Sequence, residues 1–457
     1  MIGNSRTTSP KKMGQYLIIS SLSQEVVLMN KRDNSLVTPK IRQARIATFA
    51  GFMMVGAMMY IWSTGVTAFR EQLGLSGDAG DANFGIIAFG IGLGSAAGSF
   101  LVGRFLDIFG SKRVIYITAI AYPLSILPMG YATSVNFAVG CGVVLGLLRG
   151  AIDTAFNTHG VQVERHYRRP IMSAFHAFYS LGGFLLGMAG SAFATHFTNS
   201  VQTPFTVLGG AMVIVGIVVG RFMLDRDDIA SEVSVAINDE PPHAESVKSP
   251  KAIILLMIGF GVLLLGSMVG ESAIGDWGQE YIRRVLNTPI STAGMAVSVF
   301  IGAECIGRLI GDRVAEYLGA SNMVLFSAVL AISGLLVTVT GHTALFGMIG
   351  FAMFGVGLSC IAPLMLSYAG RKDPLNAGRN IGIVNSIGYS GMLLGPAAIA
   401  TVVNHYGIDS LLYFPMLLLI PLAILGPFLM RNRRNKAKDE LTLAPKESNS
   451  QSFRSDQ

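Results

Sequence analysis

Charge is what this sequence has least of. Asp, Glu, Lys and Arg make up 13% of the 457 residues, about half their share of an average soluble domain. Apolar residues are 51%, so the charge has gone while the apolar content has stayed. That balance excludes a disordered chain, a nucleic-acid binder and an ordinary cytosolic enzyme, each of which needs more polar residues. Cysteine is scarce too, with Cys141, Cys305 and Cys360 the only three. An odd number at wide spacing gives no disulfide framework and no metal-ligand pattern. A Walker-type phosphate loop, a Gly-x-Ser-x-Gly elbow and a paired-carboxylate site are also missing. Nothing therefore supports ATP drive, enzymatic chemistry or a bound cofactor.

What the sequence has is apolar length. A spanning helix needs about 20 mostly apolar residues to cross a hydrocarbon core of about 30 Å. Twelve blocks qualify: 46–68, 84–102, 113–132, 136–159, 170–194, 204–224, 252–274, 292–311, 322–340, 343–369, 379–403 and 408–430. None alternates in the period of two that a membrane β-barrel strand requires. Inside lipid each backbone polar group needs a partner in its own segment, so the blocks are expected to be helices. The expected class is an all-α integral membrane protein with twelve transmembrane helices in the lipid bilayer.

An even number of spans puts both chain ends on one face. Of the 34 Lys and Arg residues, thirty fall on that face, Arg70, Arg283 and Arg284 on the other, and Arg149 inside a span. The positive-inside rule makes the basic face cytoplasmic, with tails at 1–45 and 431–457. The net charge of +7 is then topological and calls for no nucleic acid. Residues Gln24-Glu25-Val26 are what a purine-rich bacterial ribosome-binding site would spell if translated. Met29 is therefore the expected true start, and a bacterial inner membrane the expected location.

Residues 225–251 carry seven acids and Pro241-Pro242 and read as a flexible cytoplasmic linker. They divide the spans into halves at 46–224 and 252–430. The halves repeat. Gly110 and Gly319 differ by 209, as do Asp107 and Glu316. Gly183-Phe184-Leu185-Leu186-Gly187 and Gly391-Met392-Leu393-Leu394-Gly395 differ by 208, as do Gly51-Phe52 and Gly259-Phe260. Both copies run in the same direction, which predicts a parallel repeat about an axis along the membrane normal.

With these residues the chain resembles the major facilitator superfamily. That family's signature between spans 2 and 3 is roughly G-x-L-A-D-R-x-G-R-K, and Gly103, Asp107, Gly110 and Lys112 match it. Ile108 stands where arginine is usual, Ser111 replaces the first basic residue of the final pair, and Arg113 is added. Gly150-x-x-Asp153-x-x-x-Asn157 in span 4 and Ser173-x-Phe175-His176 at span 5 resemble the bacterial branch near fucose permease and its sugar–proton symporters. That branch generally has Glu where this chain has Asp153. The resemblance implies a twelve-helix transporter. It also implies a latch that closes the inner gate, built from Gly103, Asp107, Gly110, Lys112 and Arg113. A turn that merely fixes topology is the alternative for that loop.

Ionisable residues inside spans are costly and mark function. Arg149 and Asp153 lie four apart, hence on one helix face, and Asn157 continues it. Asp153 is the expected proton carrier, with Arg149 modulating it and His176 as a relay or a packing residue. Glu304 and Arg308 in span 8 read as a self-neutralising pair, its arginine reaching the inner interface. Candidates for the solute cavity are Trp62, Asn157, Glu271, Asn385 and Tyr389, with membrane-belt packing the alternative for Trp62. Glycines four apart place one face of spans 2, 5, 8 and 11 in close contact with a neighbour. Gly94, Gly98, Gly183, Gly187, Gly307, Gly311, Gly391 and Gly395 are expected at the contact between the halves, or else in ordinary helix packing. The expected function is secondary transport of a small polar solute, such as a sugar, by alternating access. Protons are the expected coupling partner and a monomer the expected form. A drug or metabolite exporter of the same fold, working by proton antiport, is the alternative.

Overall fold

A computed structural model describes residues 37–197, 199–225, 228 and 249–430. Met29, the C-terminal tail and most of the linker lie outside the described residues. Twelve described helices are long and apolar enough to cross a membrane. In the first half they are α1 Pro39–Gln72, α2 Gly77–Phe109, α3 Ser111–Gly130, α4 Val135–Tyr167, α5 Met172–His196 and α6 Gln202–Arg221. In the second they are α7 Pro250–Val285, α8 Ile290–Leu318, α9 Ala320–Gly341, α10 Ala344–Lys372, α11 Ala377–Tyr406 and α12 Tyr413–Leu429. Each expected span is found. Several helices overrun their apolar block, because lipid thickness limits the apolar stretch and not the helix.

Capping residues set the real ends. Thr38 accepts from the Ile41 N–H at 3.3 Å ahead of Pro39, and Ser249 from the Ala252 N–H at 3.3 Å ahead of Pro250. A proline in the first turn loses no hydrogen bond. Gly110 joins α2 to α3 at φ 80°, and Gly319 joins α8 to α9 at φ 77°. Both positions need the left-handed region that glycine adopts freely, so the repeat seen in the sequence is repeated in the backbone. Two helices are irregular: α7 passes through a π-helical turn at Ala273–Trp277, and α10 is interrupted between Leu358 and Ile361.

The packing repeats as well. In the first half α1 packs on α5, α2 on α4 and α3 on α6. In the second α7 packs on α11, α8 on α10 and α9 on α12. The halves meet chiefly along two seams, α2 against α11 and α5 against α8. Large apolar side chains such as Phe100, Ile117, Ile214, Leu255 and Phe428 are exposed on the outside of the bundle, as a lipid-facing surface requires.

Candidate coupling site and gate

Where α4 also meets α11 of the other half, Asp153 is buried, and so is Asn157 one turn below it. The Asn157 amide donates to Asp153 Oδ2 at 3.0 Å and to the Asp153 carbonyl at 2.9 Å. Its own Oδ1 must then accept, so His176 Nε2, 3.1 Å away on α5, carries the proton. From the other half, Asn385 on α11 donates to Asp153 Oδ2 at 2.9 Å and contacts Thr154 Oγ1 at 3.2 Å. Tyr389, one turn further along α11, lies next to this carboxylate. The structure thus brings together Asp153, Asn157, His176, Asn385 and Tyr389 from three helices and both halves.

Arg149 is placed differently from its i, i+4 spacing. No ion pair joins it to Asp153 among the described residues. Arg149 lies within electrostatic reach of Tyr122, Tyr179, Tyr389 and Asp153. Glu271 on α7 is half-buried and lies within electrostatic reach of Tyr60 and Tyr179. Trp62 faces away from this cluster. It packs at a ring distance of 5.3 Å on Phe69 and 6.1 Å on Phe205 of α6, so it belongs to the apolar packing of its own half.

The glycine rows also need correction. The helices proposed for the contact between halves do form it, but not with the faces those glycines define. Gly94 and Gly98 pack on the α4 backbone at Val143 and Leu147, and Gly183 and Gly187 lie under the Tyr60 ring of α1. Gly307 and Gly311 meet Ser359 and Cys360 of α10, while Gly391 and Gly395 meet Leu265 and Val269 of α7. All eight pack chiefly within their own half. The close approach between halves falls on Gly103 against the Gly378 carbonyl and Gly382 against the Ser99 carbonyl. A Cβ on either glycine would stand 2.6 Å from that oxygen.

Below the cluster, on the face where the described chain begins and ends, two carboxylates cross the seams reciprocally. Asp107 on α2 accepts from the Gly378 and Arg379 N–H groups at 2.8 and 2.9 Å, at the N-terminus of α11. Asp312 on α8 accepts from the Ser173 and Ala174 N–H groups at 3.0 and 2.8 Å, at the N-terminus of α5. Orphan N–H groups and the helix dipole make both sites favourable for a carboxylate. The sequence repeat pairs Asp107 with Glu316, but Glu316 is exposed. The structural counterpart is Asp312, one turn earlier on the same helix. A third tie comes from buried Glu164 at the end of α4. It accepts from the Ile171 and Met172 N–H groups at 2.8 and 3.1 Å, from Arg371 of α10 at 2.6 Å and from the Ser367 hydroxyl. Arg165 donates to the Gly370 carbonyl beside it.

Lys112 of the loop signature pairs with Asp225 at 3.0 Å, and Lys40 pairs with Asp225 and Asp228. The start of the linker is thereby fastened to α1 and α3. Arg113 is exposed.

Sequence reasoning passed over a second histidine. His159 is fully buried, accepts from the Leu224 N–H at 2.9 Å through Nε2, and faces Thr48 Oγ1 at 2.9 Å through Nδ1. Thr48 gives its own proton to the Ala44 carbonyl, so Nδ1 is the donor and the ring is neutral. It joins α1, α4 and the end of α6. Its place two residues past Asn157 on α4 was visible in the sequence, although its partners were not.

Comparison with known proteins gives a consistent picture. A family profile described as Major Facilitator Superfamily matches residues 46–271 and 261–456. An uncharacterized transporter of Sinorhizobium fredii is 29% identical over 83% of this chain and 96% of its own length. The membrane protein MosC of Rhizobium meliloti is 25% identical over 84% of this chain and 89% of its own. Among solved structures, FucP in the outward conformation superposes with a TM-score of 0.66 at 14% identity, over 87% of this chain and all of FucP. The human organic anion transporter TETRAN superposes with a TM-score of 0.65 at 13% identity, over 86% of this chain and all of its own.

Proposed function

Since the chain belongs to the Major Facilitator Superfamily, and is a multi-pass membrane transporter and not an enzyme, we propose that it moves a small polar solute by alternating access, driven by protons. The observation that carries this reading is the Asn385–Asp153 hydrogen bond. It places a buried carboxylate of one half under direct control of a side chain from the other. Rocking the halves apart breaks that bond and changes the proton affinity of Asp153, which is what coupling requires. Arg149 holds a positive potential over the site without neutralising it by contact.

The basic face is read as cytoplasmic, with both termini there and the protein a monomer in a bacterial inner membrane. On that reading the structure is closed to the cytoplasm, and Asp107, Asp312 and Glu164 are the latch. The solute site is read as the amide- and hydroxyl-rich wall formed by Asn157, His176, Asn385 and Tyr389. Such a wall suits a polyhydroxyl solute such as a sugar, since it offers donors and acceptors in quantity and little unpaired charge.

The test is uptake into proteoliposomes from a panel of radiolabelled sugars, polyols and organic acids, with and without an inward proton gradient. Asp153→Asn is expected to abolish gradient-driven accumulation while counterflow exchange persists. Accumulation by Asp153→Asn at the parental level removes Asp153 as the coupling group. Export from preloaded vesicles under an opposing gradient decides for the antiporter reading.

A further inference from the structure

Asp153 is not the only buried carboxylate at a contact between the halves. Glu304 of α8 is buried, with its side chain 6% exposed, and holds Arg308 one turn below at 2.5 Å. That arginine does not reach toward the inner interface as its sequence position suggested. Its side chain is 14% exposed and points across the seam, where Nη1 donates to Ser180 Oγ of α5 at 2.7 Å. Its Nε is buried without a hydrogen-bond partner. The α4–α11 and α8–α5 contacts between the halves are therefore built alike. Each has one acid and one arginine on one helix, four residues apart, and each is tied by side-chain hydrogen bonds to the opposite half. At α4–α11 those bonds come from Asn385 and end on Asp153 and Thr154. At α8–α5 the bond is made by Arg308, whose orientation Glu304 fixes.

We propose that Glu304 is a second proton-binding group, and that its protonation loosens the Arg308–Ser180 tie and favours opening to the cytoplasm. The reasoning is electrostatic and geometric. A guanidinium held by a carboxylate on one edge presents its other edge in a fixed direction, here toward Ser180. When Glu304 takes a proton from water, the O–H bond forms and the carboxylate charge is lost. Arg308 stays cationic but is no longer held in that plane. The groups facing Glu304 are Arg308 on its own helix, Tyr60 of α1 and Glu271 of α7. Those facing Arg308 also include His176 and Tyr179 of α5, Tyr60 of α1 and Cys360 of α10. Arg308 lies one turn above Asp312, so the tie is the next stitch on the seam above the latch. Among the described residues, releasing it leaves the Asp312 bonds as the side-chain hydrogen bonds that tie α8 to α5. This proposal rests on the alternating-access reading given above.

Spin labels at Arg169→Cys and Tyr317→Cys, both exposed, with the three native cysteines replaced, report the α5–α8 opening by distance measurement. No solute is needed, because the proton is the ligand varied. In the parent, lowering pH is expected to lengthen the distance in two steps. Glu304→Gln is expected to remove one step and be partly open at every pH. Ser180→Ala, which leaves Glu304 ionisable, is expected to be partly open at high pH. Asp153→Asn is expected to remove the other step. A Glu304→Gln protein that keeps both steps overturns the proposal. So does a Ser180→Ala protein with the parental distances. Loss of the whole response in Asp153→Asn, with Glu304→Gln unchanged, overturns this inference and leaves Asp153 as the coupling group. No pH response in any protein, parent included, overturns both readings.

Discussion

The reciprocal latch allows a quantitative forecast. Asp107 and Asp312 each accept two backbone N–H bonds across a seam, and a hydrogen bond to a charged group contributes about 1.5–3 kcal/mol. When the seam opens, water replaces both sets of partners, so the difference between states is smaller than the sum. About 2 kcal/mol per carboxylate is a reasonable net value. Asp107→Ala should therefore shift the closed–open equilibrium toward open by about 30-fold, at about 1.4 kcal/mol per decade. Asp312→Ala should do the same. The sites lie on different seams and share no partner, so the double variant should show the sum, about 4 kcal/mol or close to 1,000-fold. Asp107→Asn keeps one good acceptor and should fall between parent and Asp107→Ala. The spin-label pair on the α4–α5 loop and the end of α8 reads the closed fraction directly. If Asp107→Ala and Asp312→Ala both keep the parental closed fraction while remaining folded, the latch reasoning fails. If one responds and the other does not, the reciprocity fails and a single dominant latch remains.

Other outcomes follow from the packing. Gly98→Ala puts a methyl group onto the Leu147 carbonyl of the same half. It should cost thermal stability, about 1–3 kcal/mol, where a glycine facing the other half would affect gating and not folding. Asn380 is fully buried with neither polar atom bonded. Asn380→Leu should therefore raise the melting temperature, since an unsatisfied buried amide costs about 1–3 kcal/mol; a drop would show that the amide finds a partner. At Asp225 slight burial works against ionisation, but the hydrogen bonds and charges of Lys112 and Lys40 outweigh it and hold the carboxyl below the usual range. A lowered value stabilises above the unfolded pKa and is lost as pH falls through the folded one. Asp225→Asn should thus cost no more than about 1 kcal/mol at neutral pH. The difference from the parent should close below about pH 4, as followed by thermal unfolding across pH.

The fold was legible because lipid is an exacting solvent. Apolar length, the period of the repeat and the placement of Lys and Arg each report a physical constraint that acts on the sequence alone. The membership of the α4 cluster was partly legible for the same reason, since Asp153 and Asn157 share a face by spacing and buried polar groups need partners. Helical spacing says which residues share a face. It does not say which neighbour that face meets. The glycine rows show the difference: spacing correctly marked a close approach, but the helix that approaches Gly94 and Gly98 is α4 of the same half, not α11.

The same limit applies to the ion pairs, and it says where coupling is to be sought. Residues four apart are within reach of each other, so spacing alone lets both Arg149 with Asp153 and Glu304 with Arg308 pair; the closed Glu304–Arg308 pair matches its reading as self-neutralising. In the fold one pair is separated and the other closed, because their surroundings differ. Asn157 and Asn385 satisfy Asp153 with dipoles, so Asp153 needs no ion pair with Arg149. Glu304 has Arg308 as its nearest strong donor, so that pair closes and the spare edge of the guanidinium turns to Ser180. A carboxylate held by dipoles from the opposite half senses domain motion directly. A carboxylate held by an arginine senses it through the arginine. Asp153→Asn should therefore remove only the pH step that Asp153 carries, whereas Glu304→Gln should remove the other and move the resting equilibrium as well, and comparison of the two variants across pH separates these roles.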